Sequence, residues 1–400
     1  MTQERKLIIR FMALFFVVYL GFTLPYTLAI PYMIQIGYTP VERGLILAGM
    51  SLVGIFGQFI LGYLCDRFLT VKKFFFGSLI ALIGFSWLAY ATTQNMLFYH
   101  LITIAFTGGL FQIVMGLLDA WTLERDPYLV LHYGKIRALG ALGWAIGSPL
   151  TAYIVSQYGY DKLGLANLAI TVVTILIAWN MKDAVKVKGK ENINWGDVGK
   201  LVRQKQYILL VVILFLLNTI LAADMYTVID KILLLGGTNA DVSMKWSFQA
   251  VMELPLFFLG GWLLVKFGGK KLLLFASVMY LIRFLGSAWA TTPFMLIAVS
   301  GLQMVTFPLL NVSSKVLIAD ESPDHMRSTG LLFATSLSFS LASLISPVLF
   351  GSLVQVFGTN EVLYGIAAAC LIPFLLILWY MTMKPLNKEV IPVASGFSGE

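Results

Sequence analysis

Apolar runs long enough to cross a lipid bilayer recur along almost the whole chain. They fall at about 7–33, 44–65, 74–92, 96–121, 136–157, 163–181, 206–229, 246–265, 272–290, 293–318, 328–352 and 362–383. A hydrocarbon core ~30 Å thick needs roughly 20 consecutive apolar residues in a helix. Lipid offers no partner for a backbone N–H or C=O, so each run must fold as a helix that satisfies its own backbone. Of the 400 residues 59% are hydrophobic and only 12% are charged, which excludes a water-soluble globule. The fold class expected is an all-α membrane protein with twelve transmembrane helices. The first run does not read as a cleavable signal peptide: it is too long, carries Arg10 and lacks a small-residue cleavage site.

The net charge of +8 could suggest nucleic acid, but its distribution reports topology instead. Of 28 Lys and Arg, all but Arg43, Arg137, Lys162, Lys231, Lys245 and Arg283 fall at one end of the alternating runs. Positive residues mark the cytoplasmic side, so both termini are expected in the cytoplasm of a multi-pass cell-membrane protein. Cys65 and Cys370 give no disulfide framework. His100, His132 and His325 sit near run ends without metal-ligand spacing, and no Walker loop, nucleophile elbow or zinc motif occurs. No cofactor, metal or enzymatic activity is expected.

The longest polar stretch, residues 183–205, divides the runs six and six. The expected organisation is an N-terminal half over 1–182, a cytoplasmic linker over 183–205 and a C-terminal half with a short tail over 206–400. The halves share a pattern: "GYLCDRFLTVKK" (Gly62–Lys73) follows the second run and "GWLLVKFGGKK" (Gly261–Lys271) the eighth. Six-helix repeats that hold a solute between them are the architecture of rocking secondary transporters. The first copy resembles the loop signature of the major facilitator superfamily, with Gly62, Leu64, Asp66, Arg67, Lys72 and Lys73 in place. Gly62 permits close helix approach, and Asp66, Arg67, Lys72 and Lys73 can form charge pairs that make and break as the halves rock. An ordinary positively charged inside loop is the alternative.

Six further charges or rings stand inside apolar runs. Asp119 and Arg137 lie nine positions before and after Tyr128, so an antiparallel helix pair brings them to similar depth. Trp144 follows Arg137 by two helical turns on nearly the same face, ~10 Å deeper. A carboxylate, a guanidinium and an indole along one cleft suit a sugar, whose hydroxyls the charges chelate and whose apolar face the indole stacks on. Snorkelling of Arg137 and helix capping by Asp119 are the bland reading. Glu253 and Arg283 flank the turn between the eighth and ninth runs in the same way. An unpaired charge at the centre of a membrane helix costs about 2.5–3.5 kcal/mol on the lenient scale, so these two are expected to face each other or a wet cavity. Asp224 has no evident basic partner in the sequence, which suits a proton carrier or an interfacial residue.

These residues together resemble the oligosaccharide/proton symporter family of the major facilitator superfamily. The resemblance places Asp119 at an essential acidic position, Arg137 at an essential arginine and Trp144 at a sugar-stacking tryptophan. It places Glu253 at a binding and coupling glutamate, Arg283 at a coupling arginine and Asp224 at a seventh-helix aspartate. It breaks where the family has a lysine, a histidine and a proton-carrying glutamate: Ser300, Gln303 and Thr306 stand there. Leu221 and Phe339 replace a further interhelical charge pair, and Leu256 replaces a polar position. If protons drive transport, Glu253, Asp224 or Asp119 must carry them.

The leading expectation is import of a di- or oligosaccharide, galactoside-like, with protons by alternating access in a functional monomer. On it Asp119, Arg137, Trp144 and Glu253 bind the sugar while Glu253, Arg283 and Asp224 serve proton coupling. The alternatives are a sugar uniporter, or a transporter of a small organic acid, whose carboxylate Arg137 and Arg283 would hold, or of a nucleoside, since apolar replacements such as Leu256 suit an aromatic solute. A non-transporting receptor or scaffold would gain nothing from buried charges.

Overall fold

A computed structural model describes residues 3–185, 203–322 and 327–383, all of its regular structure helical. Most of the expected linker, residues 186–202, and the tail beyond residue 383 lie outside the described residues, as does His325. Twelve spans follow in order: α1 Gln3–Gln35, α2 Pro40–Phe68, α3 Lys72–Ala89, α4 Leu97–Arg125, α5 Tyr133–Tyr158, α6 Tyr160–Trp179, α7 Lys205–Leu234, α8 Asn239–Phe267, then α9 Gly269–Trp289, α10 Pro293–Asp320, α11 Phe333–Phe357 and α12 Thr359–Thr382. α8 bends by 51° just past Pro255, where the ring removes one helical hydrogen bond and crowds the preceding turn.

The expected runs match these spans to within a few residues except at the start of α8. That helix begins seven residues before the expected 246, because Thr238 and Asp241 form a reciprocal cap, the Asp241 carboxylate accepting from Thr238 N at 2.7 Å. Lys245, expected outside the membrane, is therefore carried into the span and fully buried. α2 starts in the same way, with Thr39 and Glu42, and Arg43 enters the helix with them.

The repeat extends to three-dimensional detail. α2 and α8 both open on such a cap. Both end in a residue with positive φ, Leu69 at 51° and Gly268 at 78°. The first lysine after each turn then reaches the far end of its own half. Lys72 Nζ donates to the carbonyls of Trp179 and Met181 at the end of α6, at 2.6 and 2.8 Å. Lys270 Nζ does the same for Tyr380 and Met383 at the end of α12, at 3.3 and 3.1 Å. A cation is favourable at these carbonyl-rich helix ends.

In the N-terminal half the clamp is mutual. The Asp183 carboxylate accepts from Thr70 Oγ at 2.6 Å and from the backbone N–H of Val71 and Lys72 at 3.1 and 2.9 Å, capping α3. Burial alone would raise its pKa, but these hydrogen bonds hold it below the ordinary 3.8. Its stabilising contribution is therefore fully present above 3.8 and fades as pH falls through the lowered value of the folded state. Asp183→Ala should cost roughly 1–3 kcal/mol at neutral pH, read as a lower melting temperature of the purified protein, with the difference from wild type shrinking in acid.

At the end opposite the basic loops the halves are sealed together. α2 and α11 touch backbone to backbone: a Cβ on Gly44 would lie 2.4 Å from the Pro347 carbonyl oxygen, and one on Gly351 2.4 Å from that of Pro40. Ser51 Oγ donates across the seam to the Ser343 carbonyl at 2.9 Å. Arg43 of α2 grips Asp230 of α7 with both terminal nitrogens, at 2.5 and 3.0 Å, and both residues are buried.

Candidate functional site

At mid-depth the site is built from α1, α4 and α5 on one side and α7 to α10 on the other. Gly140 lets Tyr19 of α1 pack against α5, where a Cβ would meet the ring at 3.0 Å. The Tyr19 ring then faces Arg137 one turn away, with the guanidinium carbon 4.4 Å from its centroid. That cation–π contact is the partner Arg137 has: it makes no hydrogen bond or ion pair among the described residues, and it is partly exposed.

Asp119 lies on the same wall, but the ion pair with Arg137 that the spacing allows is not made. Tyr133, four residues before Arg137 on α5, reaches the carboxylate instead and donates to Asp119 Oδ1 at 2.7 Å. The positive charge acting on Asp119 comes from across the seam, from Lys315 of α10.

Deeper, Trp144 belongs to a cluster of four rings that sequence spacing did not reveal. Its ring centroid lies 5.6 Å from Tyr26 of α1, 5.9 Å from Phe111 of α4 and 6.1 Å from Trp246 of α8. Tyr26 and Phe111 stack at 5.0 Å. These offset and edge-on separations are those that favour aromatic pairs. Trp246 belongs to the opposite half, so the cluster straddles the seam.

The C-terminal half supplies a chain of polar contacts. Glu253 and Arg283 do not touch. Gln303 bridges them, its Nε2 donating to Glu253 Oε1 at 2.9 Å while its Oε1 accepts from Arg283. Thr306 Oγ1 accepts a longer bond from Arg283 at 3.4 Å. Two of the positions where the family resemblance breaks, Gln303 and Thr306, thus carry neutral links. Ser300 Oγ bonds the Ile297 carbonyl of its own helix, and Leu256 is half-buried.

Asp224 departs most from expectation. It is not unpartnered: Lys245 Nζ lies 2.7 Å from Oδ2, Gln249 Nε2 donates to the same oxygen at 3.1 Å, and Arg283 Nη2 lies 2.7 Å from Oδ1. Lys245, Gln249 and Glu253 follow one another at four-residue intervals, on one face of α8. The reading of Asp224 as a lone proton carrier fails because Lys245 sits inside the membrane and not outside it. A π-helical turn at Asp224–Val228 inserts a residue into the helix ladder and aims the carboxylate at α8 and α9.

Across the site the positive charges of Arg137 and Arg283 both act on Glu253, so the two walls share one electrostatic field. Three carboxylates (Asp119, Asp224, Glu253) and three cations (Arg137, Lys245, Arg283) meet there. With these six ionised the formal charge is zero; Lys315, whose charge also acts on Asp119, is exposed and solvent-screened and stands outside the count.

The loop residues are less concentrated. Gly62 has no neighbour within 4 Å of a Cβ added there, so the close helix approach expected of it is not made in this conformation. Asp66, Arg67 and Lys73 are exposed, with Arg67 over the Phe68 ring at 5.6 Å. Lys72 is committed to the clamp on α6.

Residues 7–365 match the MFS_1 like family. The chain is 27% identical to the probable 3-phenylpropionic acid transporter of Escherichia coli strain K12 over 62% of its own length and 65% of that relative, just under two thirds. It is 22% identical to the raffinose permease of Escherichia coli over 80% of this chain and 79% of that one. Identity to the lactose permease of Klebsiella oxytoca is 21% over 89% of each. The crystal structure of the nucleoside transporter NupG superposes with a TM-score of 0.80 over 94% of this chain and all of that one, at 15% identity. Twelve packed spans, a duplicated half and a charged seam between the halves accord with that match: the chain belongs to the MFS_1 like family and is a multi-pass major facilitator transporter, not an enzyme.

Proposed function

We propose that the protein imports a small monocarboxylate bearing an aromatic ring, together with a proton, by alternating access. The observation that carries this reading is the guanidinium of Arg137, which makes no ion pair among the described residues and stands on the same face of α5 as Trp144, the centre of a four-ring cluster. A guanidinium left without a carboxylate in a membrane interior is costly, and a bidentate carboxylate is the ligand it matches best. The rings supply the apolar complement. The acid for which the 3-phenylpropionic acid transporter is named has both parts.

Charge balance supplies the proton. A substrate anion adds one negative charge to a site whose six ionised groups already sum to zero, and a proton on one carboxylate restores neutrality in a medium where net charge is expensive. Glu253 is the carboxylate for that role. Its bonded partner is the neutral Gln303 amide, whereas Asp224 is fixed by two cations. Arg283, through Gln303, connects the two. The basic loops support a cytoplasmic side for both termini in the cell membrane, with the sealed end then facing outward. Gly62, Asp66, Arg67 and Lys73 lie at the opposite end, where on this reading they gate the inner side as the halves rock. Every residue of the reading comes from one chain, which supports a functional monomer.

Labelled 3-phenylpropionate should accumulate in proteoliposomes with an alkaline interior. Glu253→Gln should keep exchange of internal for external substrate while losing accumulation driven by the pH gradient. Absence of 3-phenylpropionate flux beside saturable lactose or raffinose flux would overturn the reading.

Proton-linked sugar transport is the second reading. It is favoured by the placement of Asp119, Arg137 and Trp144 on one wall, and by the two sugar permeases that align with most of the chain. Asp119→Asn separates the two. A sugar clamp needs that carboxylate to accept from hydroxyls and should lose binding, whereas a carboxylate site should keep it.

A further inference from the structure

Trp246 is the one member of the ring cluster contributed by the C-terminal half, and its indole nitrogen is anomalous. Nε1 is buried with no hydrogen-bond partner, although a buried N–H left unpaired is expensive and rare in native structures. No neighbour among the described residues accepts from it. Lys245 Nζ lies 4.2 Å from the ring centroid as a cation over its face and has no acceptor to offer. Tyr26, 6.5 Å away by centroids, directs its hydroxyl at Met225 Sδ at 3.3 Å, and a thioether is a weak acceptor. Two under-used donors therefore stand side by side at the seam, one from each half, beside the Trp144 ring.

We propose that Trp246 is a substrate-positioning and specificity residue. In the substrate-bound state its N–H donates to a carboxylate oxygen of the ligand, and its ring closes the apolar slot opposite Trp144. This rests on the reading of the substrate as an aromatic carboxylate and adds a binding residue from the other half. The two indoles stand edge-on with centroids 6.1 Å apart, so the substrate ring enters by parting them and is then held by one ring from each half. The cation over Trp246 belongs to the Asp224 cluster, which ties the slot to the charge network.

The test is binding of 3-phenylpropionate and of 3-cyclohexylpropionate to purified full-length protein by calorimetry, for wild type, Trp246→Phe and Trp246→Ala, with melting curves of each protein alone. Trp246→Phe keeps a ring and removes the donor. It should weaken 3-phenylpropionate binding about tenfold or more, the size of one hydrogen bond to a charged group. Its ligand-free melting temperature should not fall, since an unsatisfied donor has been removed. Trp246→Ala should also erase the preference for the phenyl over the cyclohexyl ligand. Binding by Trp246→Phe within twofold of wild type, or a lower ligand-free melting temperature with unchanged affinity, would overturn the assignment and mark Trp246 as structural. Failure of wild type to bind either carboxylate would overturn the substrate reading itself, and this assignment with it.

Discussion

Arg137→Ala will lose more than about 100-fold in affinity for 3-phenylpropionate, the expected consequence of leaving a buried carboxylate without its charged partner, ~3–5 kcal/mol. The loss should be nearly complete because the other cations near the rings among the described residues, Arg283 and Lys245, are both spent on Asp224. Arg137→Lys should restore little. A lysine is a point charge on a flexible stem, whereas the guanidinium offers a planar fork and also stacks on Tyr19. The substitution should leave the fold intact, since Arg137 has no hydrogen bond to lose and partly faces the cleft. Calorimetry beside a melting curve reads both. Full affinity in a folded Arg137→Ala protein would place the anion elsewhere.

Breaking the seal between α2 and α7 has an effect of similar size. Arg43 and Asp230 form a bidentate pair across the two halves, 8% exposed on each side. Removing one partner of a buried pair leaves the other charge stranded, at about 3–5 kcal/mol. Here the molecule has an escape, because rocking the halves apart gives the stranded charge access to water. Arg43→Ala should therefore shift the population toward the conformation open at this end rather than unfold the protein. A cysteine introduced at Ser51, on the same seam, should react with a maleimide at least tenfold faster in the Arg43→Ala background. The exchanged pair Arg43→Asp with Asp230→Arg should slow it again. An unchanged labelling rate would show that the glycine contacts at Gly44 and Gly351 hold the seal alone.

The fold was legible because its strongest determinant is local. Twenty apolar residues in lipid have one secondary structure available, and the duplicated loop from Gly62 to Lys73 already marked two halves. The site was legible in part. Depth follows from counting along a helix, so Asp119, Arg137 and Trp144 were placed on one wall, and Glu253 and Arg283 in one region. Partner choice did not follow, because it depends on which side chain reaches first. Tyr133 reaches Asp119, and Gln303 comes between Glu253 and Arg283. The largest miss, the pairing of Asp224, began with a helix boundary. The polar start of α8, "NADVSMK", read as loop because its composition is not apolar, although Thr238 and the aspartate three residues later carry the capping signal. That signal would have put Lys245 inside the membrane. Trp246 stands beside it as the first residue of the expected run, where nothing in the spacing tied it to Trp144.

The central claim is that a charge-neutral set of six side chains accepts one anion and one proton together. Calorimetric binding of 3-phenylpropionate in two buffers of different ionisation enthalpy measures it directly, because proton uptake adds the buffer's ionisation heat to the apparent enthalpy. Near neutral pH, where the ligand is an anion in solution, the account predicts uptake of one proton per ligand by wild type and none by Glu253→Gln. Saturable binding to wild type with the same enthalpy in both buffers would contradict it.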